Sequence, residues 1–376
     1  MSALEVSESE GPEICLQDLS AQAVFGFEWC APMWASAAKA CIACWLHLLD
    51  RGLTLWRTKP EDFAFHRGRA LLSNPGAVAP MAQAQFESGL RSYTTNFARP
   101  MTLIGKGGIR LVRALTRGYG AEISAGDLAL VGAEGARPPA IANHDRPPRE
   151  ILEDLLQLVS DTSIPDQESI WSGYYHGDPP LTPGPTWAEK RIAVDRALGV
   201  LRPISVVDLA SNTGWYARLS ASRGAAAIAL DRDEACLALM FTRNESEGAD
   251  LLPVYCDLLD PSPALGFRCV QYPSAQQRFT SDMALALAIS HHLILGSGIP
   301  IEAAVDAIQP WAKRWLLTEF VPLEKEANNP YFDSAPAAAR ENYTFERYLN
   351  ALGRHFSQIV PIPGPPRGRH LVLCER

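Results

Sequence analysis

Residues 205–231 read SVVDLASNTGWYARLSASRGAAAIALD. The apolar run 205–209 predicts a short buried strand, and 226–230 predicts a second. Between them a stretch of small residues, Ala210-Ser211-Asn212-Thr213-Gly214, opens a helical segment. Strand, loop, helix and strand in so few residues make a βαβ unit. Its loop falls at the carboxyl end of the first strand, where doubly wound sheets bind their ligands.

The alternation continues downstream. Runs 252–255, 282–288 and 315–320 predict three more strands, with helical segments between them to cover both faces of a parallel sheet. Runs 357–361 and 370–374 are joined by Pro363-Gly364-Pro365-Pro366 and predict a terminal hairpin. The expectation for residues 204–376 is an α/β, Rossmann-like domain. Its sheet is mostly parallel and seven-stranded, closed by an antiparallel hairpin, which is the strand plan of the class I methyltransferases.

Upstream, residues 1–13 read as a flexible acidic terminus. Residues 14–148 alternate apolar helical stretches with turn signals and end in the proline-rich ARPPAIANHDRPP of 136–148. They predict a smaller, mainly helical α+β accessory domain. Helical patterns at 150–160 and 187–201 flank an irregular stretch with Trp171, Tyr174 and Tyr175, so 149–203 is expected to be a helical lid or linker.

The formal net charge is −8 and no Lys/Arg stripe is visible, which turns the reading away from nucleic acid. Arg110, Arg113 and Arg117 are read as a solvated helix face. The most apolar stretch, 29–49, is interrupted by Pro32, Lys39 and His47 and reads as a buried helix, not a membrane span. Cys41 and Cys44 lie in that run with no second pair or His pair nearby, so no metal site is expected. The acidic first residues do not resemble a secretory signal, and eight thinly spread cysteines suit a reducing compartment, so the expected location is the cytoplasm. A small molecule is the expected partner, with the chain a monomer or homodimer.

Acids mark three successive strand ends. Asp208 closes the first. Asp231 closes the second and lies 23 residues further on, the place where an acid takes ribose hydroxyls in nucleotide sites. Asp257, followed by Leu258, closes the third and could accept adenine amino protons. The loop keeps only Gly214 of the usual three glycines, with Ala210 and Asn212 in place of two, so a nicotinamide dinucleotide is disfavoured. The terminal hairpin favours S-adenosylmethionine (SAM). The expected cofactor set is Trp171, Tyr174, Asp208, Ala210, Ser211, Asn212, Gly214, Asp231, Arg232, Asp257, Leu258 and Ser290. An aromatic face can stabilise a sulfonium by cation–π attraction. The candidates for chemistry are Tyr175, His291, His292 and Glu319.

Four strings are more specific: DLASNTGWYARLSASRGAAAIALDRD, CDLLDPSPALGF, DMALALAISHHL and LLTEFVP. Together they resemble the bacterial nodulation-type (NoeA-like) class I SAM-dependent methyltransferases over residues 165–376. The resemblance implies cofactor positions at Asp208, Asn212, Gly214, Asp231 and Asp257. More weakly, RTKPEDFAF at 57–65, closing near Asn74, resembles a degenerate kinase-like hairpin in which Arg57 replaces a carboxylate. Phosphoryl transfer needs acids to hold Mg²⁺, so a structural or substrate-shaping role is implied for this half.

The resulting expectation is methyl transfer to a small-molecule acceptor in specialised metabolism. Two alternatives stay open. SAM could be consumed without an acceptor, its amino group closing azetidine-2-carboxylate and expelling methylthioadenosine. Alternatively, the chain could bind SAM without catalysis, as an interaction protein.

Overall fold

The computed structural model describes residues 25–66, 68–117, 146–173, 179–185, 187–323, 335–362 and 368–376. The chain divides into two compact units. One runs to Glu168 and includes Leu237–Gly248; the other holds Ser169–Cys236 and Ala249–Arg376.

The first unit is built on helix α1 (Ala31–Leu49), which buries Met33, Trp34, Ala37, Cys41, Cys44 and Trp45 among others. Pro32 stands in its first turn, where a missing N–H costs nothing. Trp34 meets the rings of Trp29 and Phe97 edge-on, at 5.0 and 6.1 Å. Two short antiparallel pairs accompany the helix: β1 (Leu53–Leu55) with β4 (Val78–Pro80), and β2 (Phe63–His66) with β3 (Arg69–Leu72). Helices α2 (Gln83–Tyr93), α3 (Arg99–Gly105), α4 (Ile109–Arg117) and α5 (Pro148–Asp161) complete a mainly helical α+β unit.

The reading of an arginine face on α4 as solvated is corrected at Arg113. This side chain is buried and donates to the carbonyls of Phe27 (3.0 Å) and Trp29 (3.2 Å). It shares the inward face with Ile109 and Val112, and its charge is accommodated because the guanidinium finds backbone acceptors. In the hairpin region, Asp62 accepts from Asn74 Nδ2 (2.6 Å) and pairs with Arg57 (3.5 Å).

The second unit begins with helix α6 (Glu189–Leu201) and carries β5 (Ser205–Leu209), α7 (Trp215–Ser222) and β6 (Ala226–Asp231). Helix α8 (Glu234–Glu247) follows; its first residues belong to this unit and Leu237 onward to the other. Then come β7 (Leu251–Tyr255), α9 (Ala275–Phe279), β8 (Ser281–Ala286), α10 (Ile301–Ile308) and β9 (Ala312–Phe320). Helices α11 (Ala337–Asn342) and α12 (Phe345–Leu352) precede β10 (Gln358–Ile362) and β11 (His370–Glu375).

The seven strands lie in the order β10-β11-β9-β8-β5-β6-β7. Strands β5 to β9 are parallel, and β11 is antiparallel to both of its neighbours. The apolar runs fold as read, to within a few residues at each end. The strands carry Val206, Met283, Leu285, Leu317 and Leu371 into one core with Val194 and Leu198 of α6 and Trp215 and Leu219 of α7. The stretch expected as one lid, 149–203, is divided: α5 falls in the first unit and α6 in the second. No described helix is long and apolar enough to cross a membrane.

Candidate functional site

The order of the parallel strands puts the carboxyl ends of β5, β6 and β7 side by side, and the three acids stand there. The β5–α7 loop turns sharply. Ala210 (φ 55°), Asn212 (φ 54°) and Gly214 (φ 78°) all lie in the left-handed region. That conformation costs a non-glycine residue about 1–2 kcal/mol, so surrounding bonds have to hold it. They are present. Ser211 N–H donates to Leu230 O (3.0 Å), and Gly214 N–H to Ser211 O (2.9 Å). The Asn212 side chain accepts from Thr213 N–H (2.7 Å) and donates to Trp171 O (3.1 Å).

Asp231 fixes the loop to the second strand. Its Oδ2 accepts from Asn212 N–H (2.7 Å) and its Oδ1 from Asp233 N–H (2.8 Å). Burial pushes its carboxyl up to about 6. Asp208 is 2% exposed, and burial pushes it up to about 7; Lys190 pulls the other way and Asp231 reinforces the rise. Asp208 Oδ2 has no hydrogen-bond partner among the described residues. Asp257 is half-buried, accepts from Leu259 N–H (2.9 Å) and pairs loosely with Arg232 at 3.6 Å. Leu258 beside it is buried.

A second cluster lies at the ends of β8 and β9. Ser290 is fully buried and donates to the carbonyl of Glu319 (2.8 Å). Ser211 is likewise buried, its hydroxyl on Leu230 O. Both serines tie the backbone of the edge together. Glu319 is also fully buried, between Lys190 Nζ (2.5 Å) and Arg369 (3.5 Å). The His291 and His292 rings lie 4.2 Å apart, and Trp171 stands edge-on to His292 at 5.5 Å. Burial holds His291 down to about 2, helped by His292 and by the cations Arg369 and Lys190. Burial, Arg232 and Arg369 hold His292 down to about 4. Both imidazoles are therefore neutral at physiological pH. So low a proton affinity makes His291 a poor general base and suits it to packing and hydrogen bonding.

Trp171 is thus brought to the loop and the histidines together. Tyr174 and Tyr175 lie outside the described residues. Lys190 and Arg369 were not legible in the sequence: single charged residues, far apart in the chain, gain meaning only once β9, β11 and α6 meet. Among the described residues no group of three or more His, Cys, Asp or Glu is placed to hold a metal ion.

The residues fit SAM. A partly buried acid at the β6 end suits a ribose diol, and a buried carboxylate with an unpartnered oxygen suits a ligand that carries an ammonium. The left-handed loop lets the backbone come close to such a ligand.

The strand order, the reversed β11 and the β5–α7 loop define the second unit as a class I methyltransferase fold. Among curated proteins the chain is similar to the nodulation protein NoeA of Rhizobium meliloti (strain 1021), 28% identical over 234 residues, 61% of this chain and 48% of that protein. It therefore spans about half the length of this relative. No protein-family model matches the chain. Solved structures that it resembles include magnesium protoporphyrin IX methyltransferase (ChlM) from Synechocystis PCC 6803 with bound SAH, at 17% identity and a TM-score of 0.35, covering 54% of this chain and 90% of that one. Another is a putative O-methyltransferase from Nostoc punctiforme PCC 73102, at 14% identity and a TM-score of 0.34, covering 74% and 70%.

Proposed function

We propose that the chain is a SAM-dependent methyltransferase acting on a small-molecule acceptor, in specialised metabolism. The observation that carries this reading is the Asn212–Asp231 link. It joins a left-handed loop to the second strand's acid at the ligand edge of a class I methyltransferase sheet. Asp231 would take the ribose, Asp257 the adenine, and Asp208 the ammonium, with Trp171 beside them. When bound, SAM supplies an electrophilic methyl on a sulfonium.

The chain's own part is to bind and align, because an in-line displacement depends on holding nucleophile and methyl in register and excluding water. On the acceptor side, His292, half-buried against Trp171, is the candidate for contacting the acceptor, and Glu319 is proposed in the same set. Tyr175 and His291 are kept as proposed members of the same set. A neutral His pair adds no charge repulsion against a sulfonium. Net negative charge and the acids gathered at the ligand edge support a metabolite over a polyanion.

The test is to incubate the full chain with SAM and with candidate acceptors, then read the products by mass spectrometry. S-adenosylhomocysteine formed only when an acceptor is present supports the reading. Methylthioadenosine formed without an acceptor sinks it in favour of internal cyclisation. SAM recovered intact, bound to the protein under every condition, indicates a binding protein.

A further inference from the structure

We propose that Asn212 is a positioning residue: its carboxamide hangs the Trp171 segment on the cofactor loop, and the indole so held walls the acceptor side against His292. The naming of the two sides rests on the SAM reading above; the hold of Asn212 on Trp171 does not.

Three polar groups of Asn212 reach three different residues. Its N–H donates to Asp231 Oδ2 at the end of β6 (2.7 Å). Its side-chain oxygen accepts from Thr213 N–H (2.7 Å), and its side-chain nitrogen donates to Trp171 O (3.1 Å). The first two bonds fix residue 212 itself at φ 54°, a left-handed conformation that asparagine tolerates better than most side chains. The third leaves the loop and reaches 41 residues back along the chain.

Trp171 is tied from its other side as well. Its N–H donates to Ser169 Oγ (3.2 Å), and Ser169 and Ser172 close a tight turn in which each hydroxyl accepts the other residue's N–H at 3.0 Å. Both backbone groups of Trp171 are therefore held, and the indole stands edge-on to the His292 ring at 5.5 Å. Strand β5 lies between β6 and β8. Asp231, Asn212, Trp171 and His292 thus link the end of β6, through the loop after β5, to the segment after β8. The indole is 37% exposed, so its place depends on these tethers as well as on packing. One donor atom carries the hold. A side chain that keeps the oxygen but loses the N–H still serves Thr213 and turns an oxygen towards the Trp171 carbonyl.

The experiment uses the full chain labelled with fluorotryptophan and records ¹⁹F NMR spectra without ligand, W171F identifying the Trp171 resonance. N212D keeps the acceptor for Thr213 and lacks the donor for Trp171. N212G lacks both and takes the left-handed φ freely, so the test survives if N212D does not fold. At neutral pH the Trp171 resonance should leave its wild-type position in both variants, and a soluble gadolinium chelate should broaden it more than in wild type. Acid then separates the two. Asp231 faces residue 212 from β6, and its like charge raises the proton affinity of the carboxyl introduced in N212D. Once protonated, that carboxyl is a donor again. Position is read as the difference from wild type at each pH, which removes the titration of Asp231 and of His292 common to the three chains. In N212D this difference should shrink as pH falls, whereas in N212G it should persist. A merely structural defect would not reverse with a proton.

A Trp171 resonance at the wild-type position in N212D and N212G overturns the inference, as does a displacement in N212D that acid does not reverse. SAM is then added to wild type, with binding measured by calorimetry. Displaced resonances in the variants of a chain whose wild type binds no SAM support the hold of Asn212 on Trp171 and remove the cofactor reading.

Discussion

At Asp231 both carboxylate oxygens already hold backbone N–H groups, those of Asn212 and Asp233, and each keeps a lone pair for a ligand. One side chain therefore shapes the loop and supplies the ribose contact. Asp231→Ala should weaken SAM binding by about 1.5–3 kcal/mol, the range for bonds to a charged group. Asp231→Asn, which keeps one acceptor oxygen, should lose less. Calorimetry decides, and equal affinity in wild type and Asp231→Ala would remove Asp231 from the ligand. Asp208 makes a pH prediction. Its carboxyl is raised to about 7 in the folded chain and returns to the ordinary range when unfolded, so the folded state holds the extra proton between about pH 4 and pH 7. Its contribution to stability is thus full at low pH and lost as pH rises through about 7, by a few kcal/mol. Asp231 acts in the same sense up to about 6. Asp208→Asn should flatten the fall in stability across this window, read from denaturant midpoints at a series of pH values. A slope equal to wild type would mean that Asp208 is ionised throughout.

Among the elements, the strands were the most legible, because buried parallel strands announce themselves as unbroken apolar runs with no need of alternation. Their ends were less so. Strand β9 begins at Ala312, ahead of the apolar run: Lys313 and Arg314 at its start are exposed, where the register with β8 is irregular between Ser281 and Met283. Helix α6 begins at Glu189 because Ala188 holds an extended N-cap, while Trp187 before it packs into the core. The acids of the site were readable because they sit at strand ends. The cations Lys190 and Arg369 were not, since their partner Glu319 is 129 and 50 residues away in the chain. The β5–α7 loop yields a paired prediction. Ala210 has a left-handed φ that glycine adopts freely, so Ala210→Gly should stabilise the chain by up to about 1 kcal/mol. Gly214→Ala imposes the same penalty in reverse and should cost about 1–2 kcal/mol. Urea unfolding of both variants checks this, and shifts of the same sign would show that the loop relaxes out of the left-handed region.

For the whole molecule, each of the two units buries its own large side chains, and every described residue assigned to the site belongs to the second. The first holds Trp29, Trp34, Trp45, Phe63, Phe86, Tyr93 and Phe97, all almost wholly buried. Trp34→Ala removes the largest kind of side chain from that cluster and should cost about 3–5 kcal/mol. SAM at a hundred times its Kd should add about 2.7 kcal/mol to whatever transition unfolds the second unit. The two effects should therefore be separable by scanning calorimetry. Trp34→Ala lowers the chain's stability yet keeps the SAM-dependent rise, whereas Asp231→Ala, which also frees the Asn212 and Asp233 N–H groups, loses most of that rise relative to its own ligand-free melt. If Trp34→Ala abolishes the SAM-dependent rise in a chain that still folds, the ligand site is not confined to the second unit.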